Sequence, residues 1–127
     1  MAMLEQAQAE SPNECCGLLA GLVEDGVGRV EARYPLVNET ASPIEFNADP
    51  RSMLKAFKDM RTRGIRELAI YHSHPTTAPI PSKVDLARNY STEVMSLIIG
   101  LSEDRPVVRG WWLQEDCFQE AAWKIEE

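Results

Sequence analysis

The chain has 127 residues, of which 44% are hydrophobic and 26% charged, enough for one compact domain with its own core and unlike a disordered tract. Its formal net charge is −7 and its pI about 4.9, so phosphate backbones and anionic bilayers are repelled, and neither nucleic acid nor a membrane is an expected partner. No run approaches about 18 apolar residues, MAMLEQAQAE lacks the basic start and apolar core of a secretory signal, and three cysteines make no disulfide framework; a cytoplasmic protein is expected.

Residues 2 to 10 suit a short helix, and Ser11-Pro12-Asn13 breaks it. The apolar run from Glu14 to Val23 fits helix or strand equally. Cys15, Leu18, Leu19 and Leu22 have helical spacing, and Ser11 to Glu14 matches a capping box with proline at the first helical position. Glu24-Asp25-Gly26 is a turn signal, and a strand over Val27 to Val37 would complete a hairpin. Residues 38 to 50, with Asn38, Ser42, Pro43, Asn47 and Pro50, form a loop.

Arg51 to Arg63 is the clearest helix. Met53, Leu54, Phe57 and Met60 make its core stripe, and Gly64 ends it. The basic residues Arg51, Lys55, Lys58, Arg61, Arg63 and Arg66 read as a solvated face. Glu67 to His74 is a strand, and Pro75, Pro79 and Pro81 stiffen the loop after it. Ser82 caps a short helix running to about Tyr90. Val94 to Leu101 is a continuous apolar strand buried on both faces. Val107 to Leu113 and Phe118 to Ile125 form an antiparallel pair around Glu115-Asp116, with Trp111, Trp112 and Trp123 packing nearby. Repeats and linkers are missing, so residues 1 to 127 read as a single α/β domain around one central sheet.

The only two histidines are His72 and His74. Two residues apart in a strand, they point to one face and can aim at one ion. A catalytic zinc site takes three protein ligands and leaves a position open. Asp85, eleven positions after His74 and beyond the stiffened loop, is the best third ligand. Ser82-Lys83-Val84-Asp85 also fits a plain helix-capping pattern, and one pattern does not exclude the other. Glu14, at the edge of an apolar run, is a candidate base for a hydrolase, beside a purely structural reading. Ser73 faces away from the two histidines, and no third histidine is present to activate it as a nucleophile. Burial is the expected role of Cys15 and Cys16.

Three stretches together carry a family resemblance: ECCGLLAG at 14 to 21, SPIEF at 42 to 46, and HSHPTTAPIPSKVD at 72 to 85. They resemble the JAMM/MPN-plus (JAB domain) zinc metallopeptidases, especially the small stand-alone prokaryotic members. The resemblance implies a cytidine-deaminase-like three-layer α/β fold, a central mixed sheet flanked by helices. It makes residues 14 to 23 a strand. It implies one Zn²⁺ per chain held by His72, His74 and Asp85, with Glu14 as general base and Ser82 as donor to the oxyanion. The implied substrate is the peptide or isopeptide bond after the C-terminal Gly-Gly of a ubiquitin-like or sulfur-carrier protein. Only thirteen residues precede Glu14, fewer than the family pattern, so a partner subunit covering that edge, as in a homodimer, is one expectation. Long substrate-holding insertions are missing. Two other classes stand beside this one. A deaminase-like hydrolase needs a Cys-x-x-Cys ligand pair, which is missing. A non-catalytic MPN scaffold predicts a lost ligand, and none is lost.

Overall fold

A computed structural model describes residues 2 to 89 and 91 to 124. Nine elements follow the expected order: α1 (Ala2–Glu10), β1 (Cys16–Glu24), β2 (Val27–Leu36), α2 (Pro50–Arg63), β3 (Arg66–His74), α3 (Lys83–Arg88), β4 (Met95–Gly100), β5 (Val107–Leu113) and β6 (Phe118–Ala121). The strands make one six-stranded mixed sheet in the order β2-β1-β3-β4-β5-β6. Every neighbouring pair is antiparallel except β3 and β4. None of the described helices is long and apolar enough to cross a membrane.

The undecided run at residues 14 to 23 is strand. β1 pairs with β2 from Cys16↔Leu36 to Glu24↔Val27. The two residues between the strands, Asp25 and Gly26, both have positive φ (52° and 76°). That geometry matches the right-handed twist of the flanking strands, and Asp-Gly tolerates it. On the other side β1 pairs with β3, Cys16 opposite His72 and Leu18 opposite Ile70.

Alternation along β1, β3 and β4 divides the core into two layers. On one face Met3 and Ala7 of α1 pack on Cys15, Ala69, Tyr71, Leu97 and Ile99. On the other, Ala56 and Met60 of α2 pack on Cys16, Leu18, Ala20 and Ile70. Leu86 of α3 joins Ile98, Trp111 and Leu113. Helices therefore cover both faces of the sheet, giving the expected three layers. β4 is buried from Ser96 to Gly100, with Met95 partly buried, as its largely apolar run requires.

Some details differ from the sequence reading. α2 starts on Asp49, whose carboxylate accepts from Ser52 N, and ends on Gly64 at φ 69°. Its buried residues are Ala56 and Met60, with Met53 partly buried, whereas Leu54 is 57% and Phe57 38% exposed. The helix is rotated so that small Ala56, not Phe57, meets the sheet. Trp111 is buried, but Trp112 and Trp123 keep over a third of their surface exposed. α3 stops at Arg88 and β6 at Ala121, and the expected ends at Tyr90 and Ile125 lie outside the described residues.

Candidate metal centre and active site

β3 and β4 run parallel, so a crossover must carry the chain from the C-terminal end of β3 back to the start of β4. The crossover contains the proline loop and α3, and it closes over the end of β3. Ligand sites in sheets with parallel strands form at such carboxyl ends.

His72 and His74 end β3 on the face shared with α2 and α3, and both are buried (2% and 4% exposed). Asp85, in the first turn of α3, is also buried. His72 Nε2 lies 3.2 Å from His74 Nε2. Asp85 Oδ1 is 3.1 Å from His72 Nε2, and Asp85 Oδ2 is 3.0 Å from His74 Nε2. Three ligand atoms from these residues thus face one point. Two donors at 2.0–2.1 Å from a tetrahedral ion stand about 3.3 Å apart, so the observed spacing fits a small divalent cation. Two imidazole nitrogens and one carboxylate oxygen suit zinc among such cations.

The surroundings aim these donors. His74 Nδ1 lies 2.8 Å from the Ala78 carbonyl, which fixes the proton on Nδ1 and turns the Nε2 lone pair inward. Phe46 stacks on His72, with ring centroids 4.6 Å apart. The capping reading of Ser82 and Asp85 holds as well. Ser82 Oγ accepts from Asp85 N at 3.1 Å, and Ser82 N donates to Asp85 Oδ2 at 2.9 Å. Cap and ligand set coexist, because Oδ1 and Oδ2 still reach the imidazoles.

The charges follow the same geometry. With no cation between them, burial raises the Asp85 carboxyl, but its hydrogen bonds with His72 and His74, the charge of His72 and the Ser82 backbone N–H hold it far below the usual range. Burial pulls His74 down, yet the hydrogen bond to Asp85, the Ala78 carbonyl and nearby negative charge leave it raised.

Glu14 precedes β1 and is 2% exposed. Burial pushes its pKa up to about 8, opposed by the charge of His74 and aided by Asp85 and Glu45. Its Oε1 is buried without a hydrogen-bond partner among the described residues. Its backbone is held on both sides: Glu14 N donates to Ser42 O at 2.7 Å, and Asn38 Nδ2 donates to Glu14 O at 2.9 Å. His72, His74, Ser82 and Asp85 thus lie at the end of β3 and along the crossover, and Glu14, before β1, interacts electrostatically with His74 and Asp85. Ser73 points to the opposite face and accepts from Cys15 N at 2.8 Å, a structural role. Cys15 and Cys16 are buried thiols with raised pKa values, pushed up mainly by burial. Sequence reasoning missed Asn38, which bonds the Glu14 backbone, and Phe46 and the Ala78 carbonyl, which contact the imidazoles. Only Phe46 carried a signal, within the SPIEF motif.

Comparison with known proteins agrees with this geometry. Residues 1 to 114 match the family described as prokaryotic homologs of the JAB domain. A CysO-cysteine peptidase of Mycobacterium tuberculosis is 35% identical over 85 residues, 67% of this chain and 57% of that protein. A desampylase of Pyrococcus furiosus is 35% identical over 107 residues, 84% of this chain and 71% of that protein. A Desulfitobacterium hafniense protein with a known solution structure superposes with a TM-score of 0.85 at 40% identity, covering 94% of this chain and 83% of that one. The match thus spans little over half of the mycobacterial relative. By motif, fold and sequence match, the chain belongs to the prokaryotic JAB-domain family.

Proposed function

We propose that the chain is a zinc-dependent peptidase that cleaves the peptide or isopeptide bond after the C-terminal Gly-Gly of a ubiquitin-like or sulfur-carrier protein. The released amine is an amino acid such as cysteine or a protein lysine. The observation that carries this is the convergence of His72, His74 and Asp85, together with a buried Glu14 that feels the charges of His74 and Asp85 and whose Oε1 has no hydrogen-bond partner among the described residues. The names of the relatives, a CysO-cysteine peptidase and a desampylase, support the substrate class. Three unbridged cysteines suit a reducing, cytoplasmic compartment.

His72, His74 and Asp85 would hold one zinc ion. Bound there, it would polarise the scissile carbonyl and acidify a water. Glu14 accepts the proton of the attacking water on its carboxylate and later delivers it to the leaving amine. Burial raises the Glu14 pKa to about 8 in the cation-free site, and a divalent cation held beside it would lower that value, leaving a carboxylate that accepts the proton yet can still hand it on. Ser82 Oγ spends a lone pair on the helix cap, which leaves its proton for the oxyanion. Substrate glycines suit the site because a tail without side chains can lie flat against backbone.

The direct test is incubation with Gly-Gly-tailed proteins carrying a C-terminal amino acid or a lysine-linked protein, followed by mass spectrometry. Wild type should release the amine, and chelator should stop it. Glu14→Ala should keep zinc and lose turnover. A protein that binds no zinc, or that cleaves equally well without Glu14, would overturn the proposal.

A further inference from the structure

The Glu14 carboxyl must be aimed by something, because its buried Oε1 has no hydrogen bond among the described residues to hold it. With no bond on that oxygen, the place the carboxyl reaches depends on where the backbone starts the side chain. That backbone meets one half-buried side chain, Asn38, just beyond the end of β2. Asn38 Nδ2 donates to Glu14 O at 2.9 Å and to Glu45 O at 3.2 Å. Its Oδ1 accepts from Thr40 N at 3.2 Å, Thr40 Oγ1 at 2.8 Å and Asn47 N at 2.9 Å. The amide orientation is unambiguous, since two carbonyls face one end and donors face the other. One planar group thus ties residue 14 to the 40–47 segment. The same segment returns the second backbone bond, from Glu14 N to Ser42 O at 2.7 Å. A bridge between Asn38 and Ala48 and a bond from Glu39 N to Asn47 O at 2.8 Å close the segment.

We propose that Asn38 is a positioning residue for the reaction, setting the aim of the Glu14 carboxylate by clamping the Glu14 backbone to the 40–47 segment. The inference rests on Glu14 being the base of the proposed peptidase. Asn38 touches neither the ligand set nor Ser82 through any of its five side-chain hydrogen bonds. Its chemistry is not replaceable by a near-isostere. Aspartate has the same shape but no donor, so it would set carboxylate oxygen against the carbonyls of Glu14 and Glu45. A displacement of about 1 Å in a catalytic group can cost about 100-fold in rate.

The experiment compares zinc-loaded wild type with Asn38→Asp, Asn38→Ala, Thr40→Val and Glu14→Ala. It measures kcat, KM and zinc affinity, each well below the variant's melting temperature. Positioning predicts that Asn38→Asp and Asn38→Ala lower kcat about 10- to 100-fold. KM should stay within about threefold, and zinc affinity, set mainly by β3 and the α3 cap, should fall by less than kcat even though Phe46, which stacks on His72, lies between the Asn38 partners Glu45 and Asn47. Thr40→Val, which removes a bond to Oδ1 and the 3.4 Å bond from Thr40 Oγ1 to Glu45 O but spares both bonds donated by Asn38, should keep kcat within about twofold. If Asn38→Asp does not fold, Asn38→Ala carries the comparison. Unchanged kcat in Asn38→Ala, or a loss that merely tracks zinc loss, overturns the inference. Glu14→Ala separates the two levels. If it turns over like wild type, the base assignment itself is wrong. If it is inactive while Asn38→Ala is fully active, only the positioning inference falls.

Discussion

Ser82 offers the sharpest separation of a structural role from a chemical one. Its Oγ accepts from Asp85 N at 3.1 Å, and that cap is lost in both Ser82→Ala and Ser82→Gly. The cost differs between them: about 0.5–2 kcal/mol for alanine and a few tenths for glycine. The return bond from residue 82 N to Asp85 Oδ2, 2.9 Å, comes from backbone and survives in both. Asp85 should therefore stay in place, with zinc affinity nearly unchanged. For 127 residues, an unfolding entropy of about 2.1 cal/mol/K per residue sums to about 0.27 kcal/mol/K, so about 1 kcal/mol moves Tm by about 4 °C. Calorimetry should show alanine several degrees below wild type and glycine close to it. The hydroxyl donor is absent from both, so kcat should fall by about 10²–10³, or about 2.7–4 kcal/mol, equally in the two. Conjugate cleavage at saturating substrate is the assay. Near-normal kcat in Ser82→Gly, with loss only in the less stable alanine variant, would refute the donor role.

Three further outcomes are expected. His74→Ala should abolish both zinc binding and cleavage, since no other histidine than His72 is present to replace it; activity persisting in metal-stripped His74→Ala would contradict the site, with zinc measured by a competing chelator. Gly100→Ala would put a methyl 2.8 Å from Pro79 Cδ, in a loop whose Pro79 carbonyl is held by Trp111 Nε1 at 3.0 Å. The loop carries the Ala78 carbonyl that orients His74, so zinc affinity should drop about 10- to 100-fold. Gly28→Ala, with its nearest neighbour at 3.4 Å, is the matched control that should leave affinity alone. In chelator-treated protein, Glu14 binds its proton more tightly folded (about 8) than unfolded (4.5). Its stabilising contribution is complete below the unfolded value and disappears as pH rises through the folded one, and raised His74 acts in the same direction. Urea unfolding should show stability falling from pH 5 to pH 8, with a slope shallower in Glu14→Gln by up to about 1.4 kcal/mol per pH unit; identical slopes would argue against a buried neutral Glu14.

Strand and helix order were largely legible because the strongest signals are local. The Asp25-Gly26 turn, the αL cap at Gly64 and the apolar run of β4 each depend on a few neighbouring residues. The His-x-His spacing was legible for the same reason, since period-2 alternation alone puts both rings on one face. Glu14 to Val23 was ambiguous locally, and only pairing with two other strands makes it β. The orientation of α2 misled because Leu54 and Phe57 are large, whereas the sheet accepts small Ala56 between Met53 and Met60. Asn38 had no local signature. Its partners are residues 14, 40, 45 and 47, and the longest of these links spans 24 positions of sequence. An asparagine in a loop reads the same whether it faces water or organises a base.

The hairpin tip at Asp25-Gly26 has a practical consequence. β1 runs antiparallel to β3, so this turn lies at the opposite end of the sheet from the histidines. Nine residues of β1 at about 3.3 Å each put it about 30 Å away along the strand. A dye, affinity handle or surface tether attached there would leave the end of β3 clear for a protein-sized guest, which makes this corner the natural anchor for testing the proposed cleavage one molecule at a time.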